Sequence, residues 1–314
     1  MVGDTPRLIA LDWGSTSLRG YLMDKQGEVV AQCSSEAGAS KLDGGAEAFE
    51  SALRSLAGDW LAANPELPIV ACGMVGSKHG WAEALYVSAP APLSELAAHV
   101  RSVETTSGLH VRIIPGLSWQ PAEGAPEVMR GEETQVAALL AAQPELATGC
   151  RIVLPGTHSK WVLTHQSAVQ SFHTYMTGEL FDVLLRHSVL ARTTRPGGAL
   201  DTSAFERGVA VAQAHGGADL ARLLFGVRTL GLFERMTGQA LADYTSGLLI
   251  GSEVVSGTNS GPASDELPIR VVGADALIER YLVAFGLCGH AAEPAAVSAA
   301  AGIWQIAQEG GWMR

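Results

Sequence analysis

Two stretches of the chain carry nearly the same pattern: LIALDWGSTSLRGYL at residues 8–22 and RIVLPGTHSKWVL at residues 151–163. In each, a short apolar run leads into a turn of glycine and hydroxyl residues, and a second apolar run follows, which is typical of a β-hairpin. The turns align when Gly14 is set on Gly156. Because the second copy begins near the middle of 314 residues, the repeat predicts a duplicated domain with a boundary near Thr148.

The segments that follow each hairpin predict further strands and then helices. A third strand is expected at residues 29–33 and again at 168–172. Other strands are predicted at 69–72, 111–114 and 269–272, and helices at 45–63, 132–143, 178–187, 205–214, 220–236, 241–255, 275–284 and 294–308. Paired strands followed by helices, twice over, predict two α/β lobes that face a cleft, at residues 1–148 and 149–314.

The composition limits the partners that the protein can have. The chain is 47% hydrophobic and 17% charged, which is typical of a globular protein with one or two sizeable cores. Its net charge of −11 argues against nucleic acid or an anionic membrane as the main partner, because both require a concentrated positive surface. An acidic protein that binds anionic ligands must gather its few cations locally, so each Lys or Arg in a glycine-rich segment is informative.

The cysteines and the N-terminus predict a cytoplasmic protein. The four cysteines (Cys33, Cys72, Cys150 and Cys288) have no CxxC pair and no zinc spacing, so we interpret them as reduced core thiols. The first residues are polar and lead directly into a strand, and no apolar run approaches the roughly 18 residues of a membrane span. We expect neither a signal peptide nor a membrane partner.

The two glycine-rich turns are candidates for phosphate binding. Backbone N–H groups converge in such turns without bulky side chains in the way. This interpretation assigns Gly14, Ser15 and Thr16 in the first turn, and Gly156 and Thr157 in the second, to a nucleotide. An ordinary hairpin uses the same residue types, so either turn alone would be weak evidence.

Asp12 stands at the end of a buried-looking strand. An unpaired carboxylate there is costly unless it meets a cation or hydrogen-bond donors. A magnesium ion that bridges nucleotide phosphates, contacted through water, would meet that need. The alternative is that Asp12 caps its own turn.

Seven motifs carry a resemblance to a known family. They are LDWGSTSLRGYL (Leu11–Leu22), GMVGSKHGW (Gly73–Trp81), PGLSW (Pro115–Trp119), VMRGEETQ (Val128–Gln135), LPGTHSKWV (Leu154–Val162), MTGELF (Met176–Phe181) and SGLLIGSEV (Ser246–Val254). Their order and spacing resemble the 2-dehydro-3-deoxygalactonokinases along essentially the whole chain. Lys78, His79 and Thr245 depart from the family pattern, which leaves the fine choice of substrate open.

The resemblance implies a fold and a reaction. The fold is α/β, with two ribonuclease-H-like lobes around a nucleotide cleft, as in the duplicated actin-like ATPases, sugar kinases and hsp70 proteins. The reaction is the transfer of the γ-phosphoryl group of ATP, with Mg²⁺, to the 6-hydroxyl of 2-dehydro-3-deoxy-D-galactonate in galactonate breakdown. The expected ligands are therefore ATP and a small sugar acid. The expected protein partner is a second copy of the chain, in a homodimer.

A pair of carboxylates begins one predicted helix. Phosphoryl transfer requires positioning, positive charge around the phosphates, and a group that orients or deprotonates the acceptor hydroxyl. Glu132 and Glu133 follow Gly131 at a helix start, and related enzymes of the superfamily place a base carboxylate at a similar point. We therefore assign both, with Asp12, to catalysis, and favour Glu132 as the base. The alternative is that the two acids only complement the positive end of the helix.

Other residues of the motifs are assigned to binding. Arg19, Lys78 and Arg130 are assigned to the sugar acid, because an Arg can hold a carboxylate with two parallel hydrogen bonds, whereas Lys acts as a point charge. Lys160 is assigned to phosphates or substrate, and a structural ion pair is the alternative for each of these cations. His158 is either directed at ligand or a core histidine. The remaining assignments are Ser77, Trp81, Thr177 and Glu179 to substrate and Gly178, Gly247, Gly251 and Gly273 to the nucleotide, with helix packing as the alternative for the isolated glycines.

Three other functions remain as alternatives. The substrate could be another 2-keto-3-deoxy sugar acid, because the sequence does not distinguish the configuration at C4. An exopolyphosphatase-like hydrolase would share the two-lobe fold and a Glu-Glu helix start. A sugar-responsive regulator or filament former is disfavoured, since no helix-turn-helix precedes the first strand and no long insert supplies filament contacts.

Overall fold

A computed structural model describes residues 5–217, 219–260 and 267–313 of the chain. Contacts divide the chain into two units. The first unit comprises the chain up to Thr148, Thr164–Ser171 and the segment from Val297 onward, and the second comprises Gly149–Leu163 and Phe172–Ala296. Two segments that the sequence analysis placed in the second lobe therefore belong to the first unit.

The described residues form strands and helices in a mixed order. The strands are β1 (Pro6–Trp13), β2 (Leu18–Asp24), β3 (Val29–Ser35), β4 (Ile69–Cys72), β5 (Val87–Ser88), β6 (Ala91–Pro92), β7 (Arg101–Glu104), β8 (His110–Ile113), β9 (Leu117–Trp119), β10 (Glu127–Met129), β11 (Cys150–Leu154), β12 (Ser159–His165), β13 (Ala168–Tyr175), β14 (Ile269–Val271) and β15 (Ala292–Pro294). The helices are α1 (Ala46–Ala63), α2 (Leu93–Ala98), α3 (Glu132–Ala142), α4 (Thr177–His187), α5 (Thr202–Ala214), α6 (Leu220–Leu232), α7 (Gly238–Asn259), α8 (Asp275–Leu287) and α9 (Ala299–Glu309).

The two main sheets have the same arrangement of strands. The first unit has the order β3-β2-β1-β4-β8-β7, and the sheet of the second unit contains the order β15-β14-β11-β12-β13. In the first, β1 pairs antiparallel with β2 and parallel with β4. In the second, β11 pairs parallel with β14, which pairs parallel with β15. This shared order is that of a ribonuclease-H-like sheet, so the predicted fold class is confirmed.

Aromatic packing closes the core of the first unit beneath the glycine-rich turn. Trp13, at the end of β1, is fully buried. Its ring centroid lies 5.4 Å from that of Phe49 on α1 and 5.8 Å from that of Trp81, and its indole N–H donates to the carbonyl of Ala37 at 2.8 Å. Burial of such large rings contributes strongly to core stability, so the start of the turn is held rigidly.

Helices α5 and α7 of the second unit touch at their backbones. A Cβ atom on Gly247 would lie 2.0 Å from the carbonyl oxygen of Phe205, and one on Gly208 would lie 2.3 Å from the carbonyl oxygen of Tyr244. No side chain fits at either position. This close contact explains why α7 can run for 22 residues with most of its side chains buried.

The prediction from sequence missed the shorter elements. Strand β7 has mostly exposed residues, and the small sheet β10-β9-β5 has strands of only two or three residues. Such strands are too short and too polar to produce a periodic signal. No helix of the described ranges is both long and apolar enough to cross a membrane.

A glycine also sets the contact between α3 and α9 in the first unit. A Cβ atom on Gly302 of α9 would lie 1.7 Å from the carbonyl oxygen of Thr134 on α3. The chain end therefore packs directly on the helix that begins with Glu132 and Glu133.

We predict that Gly302→Ala destabilises the protein by about 1–3 kcal/mol or more, because the added methyl group forces the two helices apart. The matched control is Gly58→Ala in α1, where a Cβ atom would meet nothing within 4 Å; it should be neutral or slightly stabilising, since Ala favours a helix. Urea unfolding measures both. Equal stability of Gly302→Ala and wild type would contradict the close contact.

Candidate active site

The first glycine-rich turn joins β1 to β2. The N–H of Gly14 donates to the carbonyl of Ser17 at 3.0 Å, and the N–H of Ala39 donates to the carbonyl of Gly14 at 2.9 Å. The side chains of Ser15 and Thr16 are exposed. The turn is thus supported from behind and open in front, which suits it to an external anion.

Asp12 lies at the end of β1, directly across the hairpin from Arg19. Its side chain is 27% exposed, and its Oδ2 atom lies 3.5 Å from the Nη1 atom of Arg19. Burial raises the pKa of the Asp12 carboxyl, and the positive charge of Arg19 acts in the opposite direction. Asp12 is therefore a partly accessible carboxylate, and Arg19, with 57% of its side chain exposed, can turn toward a ligand.

Two glycines allow three segments of backbone to meet beside Asp12. Gly73, just after β4, has φ +90°, and a Cβ atom there would lie 2.8 Å from the carbonyl oxygen of Trp13. Gly131, just before α3, has φ +107°, and its Cβ position is 3.6 Å from the Cα atom of Gly73. Since φ is positive at both, a side chain would be strained at either position, and at Gly73 it would also be crowded. The start of α3 is thus brought to the end of β1.

Glu132 and Glu133 both fold back onto the first turn of α3. Oε2 of Glu132 accepts from the N–H of Arg130 at 3.0 Å, and Oε2 of Glu133 accepts from the N–H of Gly131 at 2.6 Å. The two acids therefore satisfy backbone donors at the helix start, which was the structural alternative for them. That role does not exclude chemistry, because each carboxylate has a second oxygen.

Burial separates the two acids. Glu133 is 1% exposed, and its buried Oε1 atom has no hydrogen-bond partner among the described residues. Burial, with the neighbouring charge of Glu132 as the second cause, raises the pKa of Glu133 to about 8. Glu132 is only partly buried. At neutral pH Glu133 is accordingly protonated in most molecules, and Glu132 is the accessible carboxyl of the pair.

Cys72 lies close to all three of the predicted catalytic acids, Asp12, Glu132 and Glu133. Cys72 pairs with Asp12 in the β1–β4 register, and the hydroxyl of Thr134 donates to its sulfur at 3.8 Å. Burial raises the pKa of this thiol well above its usual value, and the charges of Asp12, Glu133 and Glu132 raise it further. The structure thus brings together the three residues that the sequence analysis assigned to catalysis.

Arg130 is held by the segment that contains Ala84 and Tyr86. Its guanidinium carbon lies 4.4 Å from the ring centroid of Tyr86, and its Nη2 atom donates to the carbonyl of Ala84 at 2.8 Å. Its Nε and Nη1 atoms are buried and have no hydrogen-bond partner among the described residues. The sequence analysis did not identify Tyr86; an exposed aromatic next to the GMVGSKHGW motif was the available signal.

The other substrate assignments in the first unit differ in exposure. Lys78 is exposed and Ser77 is partly exposed, so both can reach a ligand. Trp81 is 9% exposed, and its ring stacks on that of Phe49 at 5.9 Å. The structure therefore places Trp81 in the core rather than on an open surface.

The second glycine-rich turn packs directly against the start of α4. A Cβ atom on Gly178 would lie 2.4 Å from the carbonyl oxygen of Gly156, and the N–H of Glu179 donates to the carbonyl of Thr157 at 3.0 Å. Gly156 itself faces open space. Gly273, which follows β14, approaches the carbonyl of Pro155. The turn thus repeats the arrangement of the first unit, where Gly73 follows β4 beside the end of β1.

Two polar residues of this motif have different environments. His158 is half-exposed, and its Nε2 atom pairs with Oε2 of Glu179 at the surface. It is therefore not a core histidine. Lys160 is only 6% exposed, and its ammonium group donates to the hydroxyl of Thr174 at 2.9 Å. The structure therefore places this cation inside the second unit.

A cavity of about 330 Å³ opens beside the second turn. It is bounded by the turn, by α4, by α7 and α8, and by a glycine-rich loop. Its lining residues are Gly156, Thr177, Gly178, Phe181, Pro196, Gly197, Gly198, Gln239, Ala242, Asp243, Ser246, Leu249, Ile250, Ala276, Leu277, Arg280 and Tyr281. All belong to the second unit, and the volume suits a small organic ligand.

Hydrogen bonds order the polar wall of the cavity. The guanidinium of Arg280 on α8 donates to Ser246 Oγ at 2.9 Å and to Asp243 Oδ1 at 3.4 Å. Oδ2 of Asp243 accepts from the N–H of Asp201 at 2.9 Å, and the amide of Gln239 donates to the carbonyl of Ala199. The sequence analysis missed these residues, although polar side chains recur at helical spacing on this face of α7.

The glycines of α7 lie on a different face. Gly247 and Gly251 abut Phe205 and Val209 of α5, while their neighbours Ser246 and Ile250 line the cavity. Helix packing, the alternative interpretation, accounts for both glycines. Neither reaches the cavity wall.

The acids do not form a multidentate metal centre. No group of three or more His, Cys, Asp or Glu side chains suited to a metal is present within residues 5–217, 219–260 and 267–313. A magnesium ion held mainly by nucleotide phosphates and water needs only one or two protein carboxylates. Asp12, partly exposed beside the first turn, fits that limited requirement.

The comparisons with known proteins indicate one family along most of the chain. A family model described as 2-keto-3-deoxy-galactonokinase matches residues 12–306. The chain is 36% identical to the 2-dehydro-3-deoxygalactonokinase of Escherichia coli (strain K12) over 289 residues. This aligned region covers 91% of each protein. A relative in Rhizobium meliloti (strain 1021), described as a probable 2-dehydro-3-deoxygalactonokinase, is 36% identical over 283 residues, or 88% of this chain and 87% of the relative.

A crystal structure from Sinorhizobium meliloti, described as that of a candidate 2-dehydro-3-deoxygalactonokinase, is also similar. It superposes with a TM-score of 0.85 at 32% identity and covers 96% of this chain and 98% of that chain. The residues matched by the family model, 12–306, include both glycine-rich turns and the start of α3. The chain belongs to the 2-keto-3-deoxy-galactonokinase family.

Proposed function

We propose that the protein transfers the γ-phosphoryl group of ATP to the 6-hydroxyl of 2-dehydro-3-deoxy-D-galactonate, giving the 6-phosphate and ADP in galactonate catabolism. The observation that carries this proposal is the approach of the start of α3, which bears Glu132 and Glu133, to Asp12 and the first glycine-rich turn, in a chain that belongs to a kinase family. Phosphoryl transfer is catalysed mainly by positioning and electrostatic stabilisation, and the two units contain the groups for both.

The acceptor hydroxyl is activated in the first unit. Glu132 orients this hydroxyl and accepts its proton as the oxygen bonds to the γ-phosphorus and ADP leaves. Its partial exposure and its anchorage to the N–H of Arg130 support this role, because a base must reach its substrate and keep its orientation. Glu133, buried and protonated, holds the start of α3 through Gly131.

The nucleotide is bound in the second unit. The cavity between α7 and α8 takes the adenosine moiety, with Gln239, Asp243, Ser246 and Arg280 supplying polar contacts, and the turn at Gly156 and Thr157 lies at the cavity's edge for phosphate. A largely apolar cavity with a few ordered polar groups is typical of a cofactor site. A magnesium ion bound to the phosphates would supply the positive charge that offsets the charge developing on the phosphoryl oxygens, and Asp12 is the carboxylate that we assign to it.

The carboxylate of the sugar acid is bound by cations of the first unit. Arg130 is fixed by Tyr86 and Ala84, and Lys78 and Arg19 are exposed residues of other motifs in the same unit. A rigid guanidinium loses less side-chain entropy when it binds an anion. Lys160 and Trp81 are buried, so we propose no direct ligand contact for either.

Location and assembly are further parts of the proposal. A cytoplasmic location is supported by the four cysteines, none of which is joined in a disulfide in the described residues, since reduced thiols are typical of that compartment. We also propose a homodimer, without assigning a surface to it.

The activity is tested by ADP release measured over a panel of 2-keto-3-deoxy sugar acids and without any acid. We expect release that depends on 2-dehydro-3-deoxy-D-galactonate and is slower by about tenfold or more with the C4 epimer, as a lost hydrogen bond would give. Preference for another acid would favour the related kinase. Rapid phosphate release without acid would favour the hydrolase.

The two acids of α3 should respond differently to the same substitution. Glu132→Gln should lower kcat by ~10²–10⁴ with little change in substrate KM, since general-base assistance is typically of that size. Glu133→Gln is the matched variant and should lower kcat much less, because an amide can still accept from the Gly131 N–H. If Glu133→Gln is inactive and Glu132→Gln is active, the roles are reversed; if both are active, neither is the base.

Glu133 should also make stability depend on pH. In the unfolded chain this carboxyl loses its proton near pH 4.5, whereas in the folded protein it keeps the proton up to about pH 8. Between these values unfolding releases a proton, so rising pH favours the unfolded state. Glu133→Gln has no such proton, and we expect its stability relative to wild type to improve from about pH 5 to about pH 9. Urea unfolding measures the difference; a constant difference would refute the raised pKa.

A further inference from the structure

A buried carboxylate in the second unit takes no part in the chemistry proposed above. Glu253, on α7, is 2% exposed. The indole N–H of Trp161 donates to its Oε1 atom at 2.7 Å, and the hydroxyl of Tyr281 donates to its Oε2 atom at 2.7 Å. The hydroxyl of Thr177 is also hydrogen-bonded to it. An indole can only donate, so the surroundings are built around a carboxylate that accepts.

The hydrogen bond from Tyr281 sets the direction of a longer chain. The phenolic proton is used on Glu253, so the Tyr281 oxygen can only accept from Ser159, whose Oγ atom lies 3.0 Å away. The Ser159 side chain also lies within hydrogen-bonding reach of Glu253 itself. Ser159 Oγ in turn lies 3.5 Å from the N–H of Gly156 and can accept from it. Donors thus run in one direction from the second glycine-rich turn to Glu253, and such chains strengthen their members.

The same residues form part of the cavity. Gly156, Thr177, Gly178 and Tyr281 line it, and Gly178 packs against the carbonyl of Gly156. Glu253 itself does not line the cavity, and neither does Ser159. The carboxylate is therefore linked by hydrogen bonds to the cavity wall and to the turn, but cannot touch a ligand there.

The far end of α7 is anchored independently of Glu253. The guanidinium of Arg151 donates to the carbonyls of Gly257 and Thr258 at 3.2 and 3.3 Å. Since these contacts keep α7 in place, the bonds that Glu253 makes are not needed only to dock the helix.

We propose that Glu253 is a positioning residue for nucleotide binding, which through Tyr281 and Ser159 holds the cavity wall and the Gly156 turn in the geometry that receives a nucleoside triphosphate. The proposal rests on the proposed function in that the cavity is taken as the adenosine site. A preorganised site binds more tightly because less conformational freedom is lost on binding.

The test compares two tyrosines that differ in this chain of hydrogen bonds. Tyr281→Phe keeps the ring and removes the hydrogen bonds that the Tyr281 hydroxyl makes to Glu253 and to Ser159. Tyr175→Phe is the matched control, because the hydroxyl of Tyr175 also bonds to α7, at Ser256 Oγ 3.1 Å away, and its ring packs on Trp161 at 6.0 Å. We expect Tyr281→Phe to raise the KM for ATP about tenfold with an unchanged KM for the sugar acid, and Tyr175→Phe to change neither.

Two further variants and a direct binding measurement complete the test. Ser159→Ala and Glu253→Gln should weaken binding of the β,γ-imido analogue of ATP, measured by calorimetry, in the same way. The combination of Ser159→Ala with Tyr281→Phe should be clearly less than additive, since both break one chain. A role confined to stability would lower the melting temperature without raising the KM for ATP selectively over the KM for the sugar acid.

The outcomes separate the inference from the proposed function. Gln239→Ala alters the cavity directly and is expected to weaken the analogue. If it does so while Tyr281→Phe and Ser159→Ala bind like wild type, the positioning role is wrong and the cavity assignment stands. If Gln239→Ala and the wild type bind the analogue equally, or neither binds it, the cavity is not the adenosine site and both proposals fall.

Discussion

Backbone contact at glycine is the constraint on which both functional regions depend. In the first unit Gly73 lies against the carbonyl of Trp13, and Gly131 lies close to Gly73. In the second unit Gly178 lies against the carbonyl of Gly156. A side chain at Gly73 or Gly178 would separate a strand end from the segment beside it. These contacts bring a turn with exposed backbone next to the start of a helix, where anions bind favourably.

The two units stabilise a buried glutamate in opposite ways. Glu133 has one buried oxygen without a partner among the described residues, and burial raises its pKa to about 8. Glu253 is almost equally buried, and burial raises its pKa as well, but hydrogen bonds from Thr177, Tyr281, Trp161 and Ser159 act in the opposite direction. A proton stabilises the first and donors stabilise the second, because an isolated buried charge is too costly.

The buried glutamates differ from the accessible one in what they can contact. In the first unit Glu133 is buried and Glu132 is the more accessible carboxyl of the pair. In the second unit Glu253 is buried at the end of a chain of hydrogen bonds that leads to the cavity wall. Neither role follows from residue type, since all are acidic residues in family motifs.

The sequence by itself determined the duplication, the main strands, the two glycine-rich turns and the motif that begins α3. These features are local: alternation, helical spacing and turn composition are written in adjacent residues. The tertiary structure decided that Lys160 and Trp81 are buried, that Gly247 and Gly251 face α5, and that Gln239 and Arg280 meet at one cavity. Burial and contact depend on which distant segments pack together, and a single sequence does not record those neighbours.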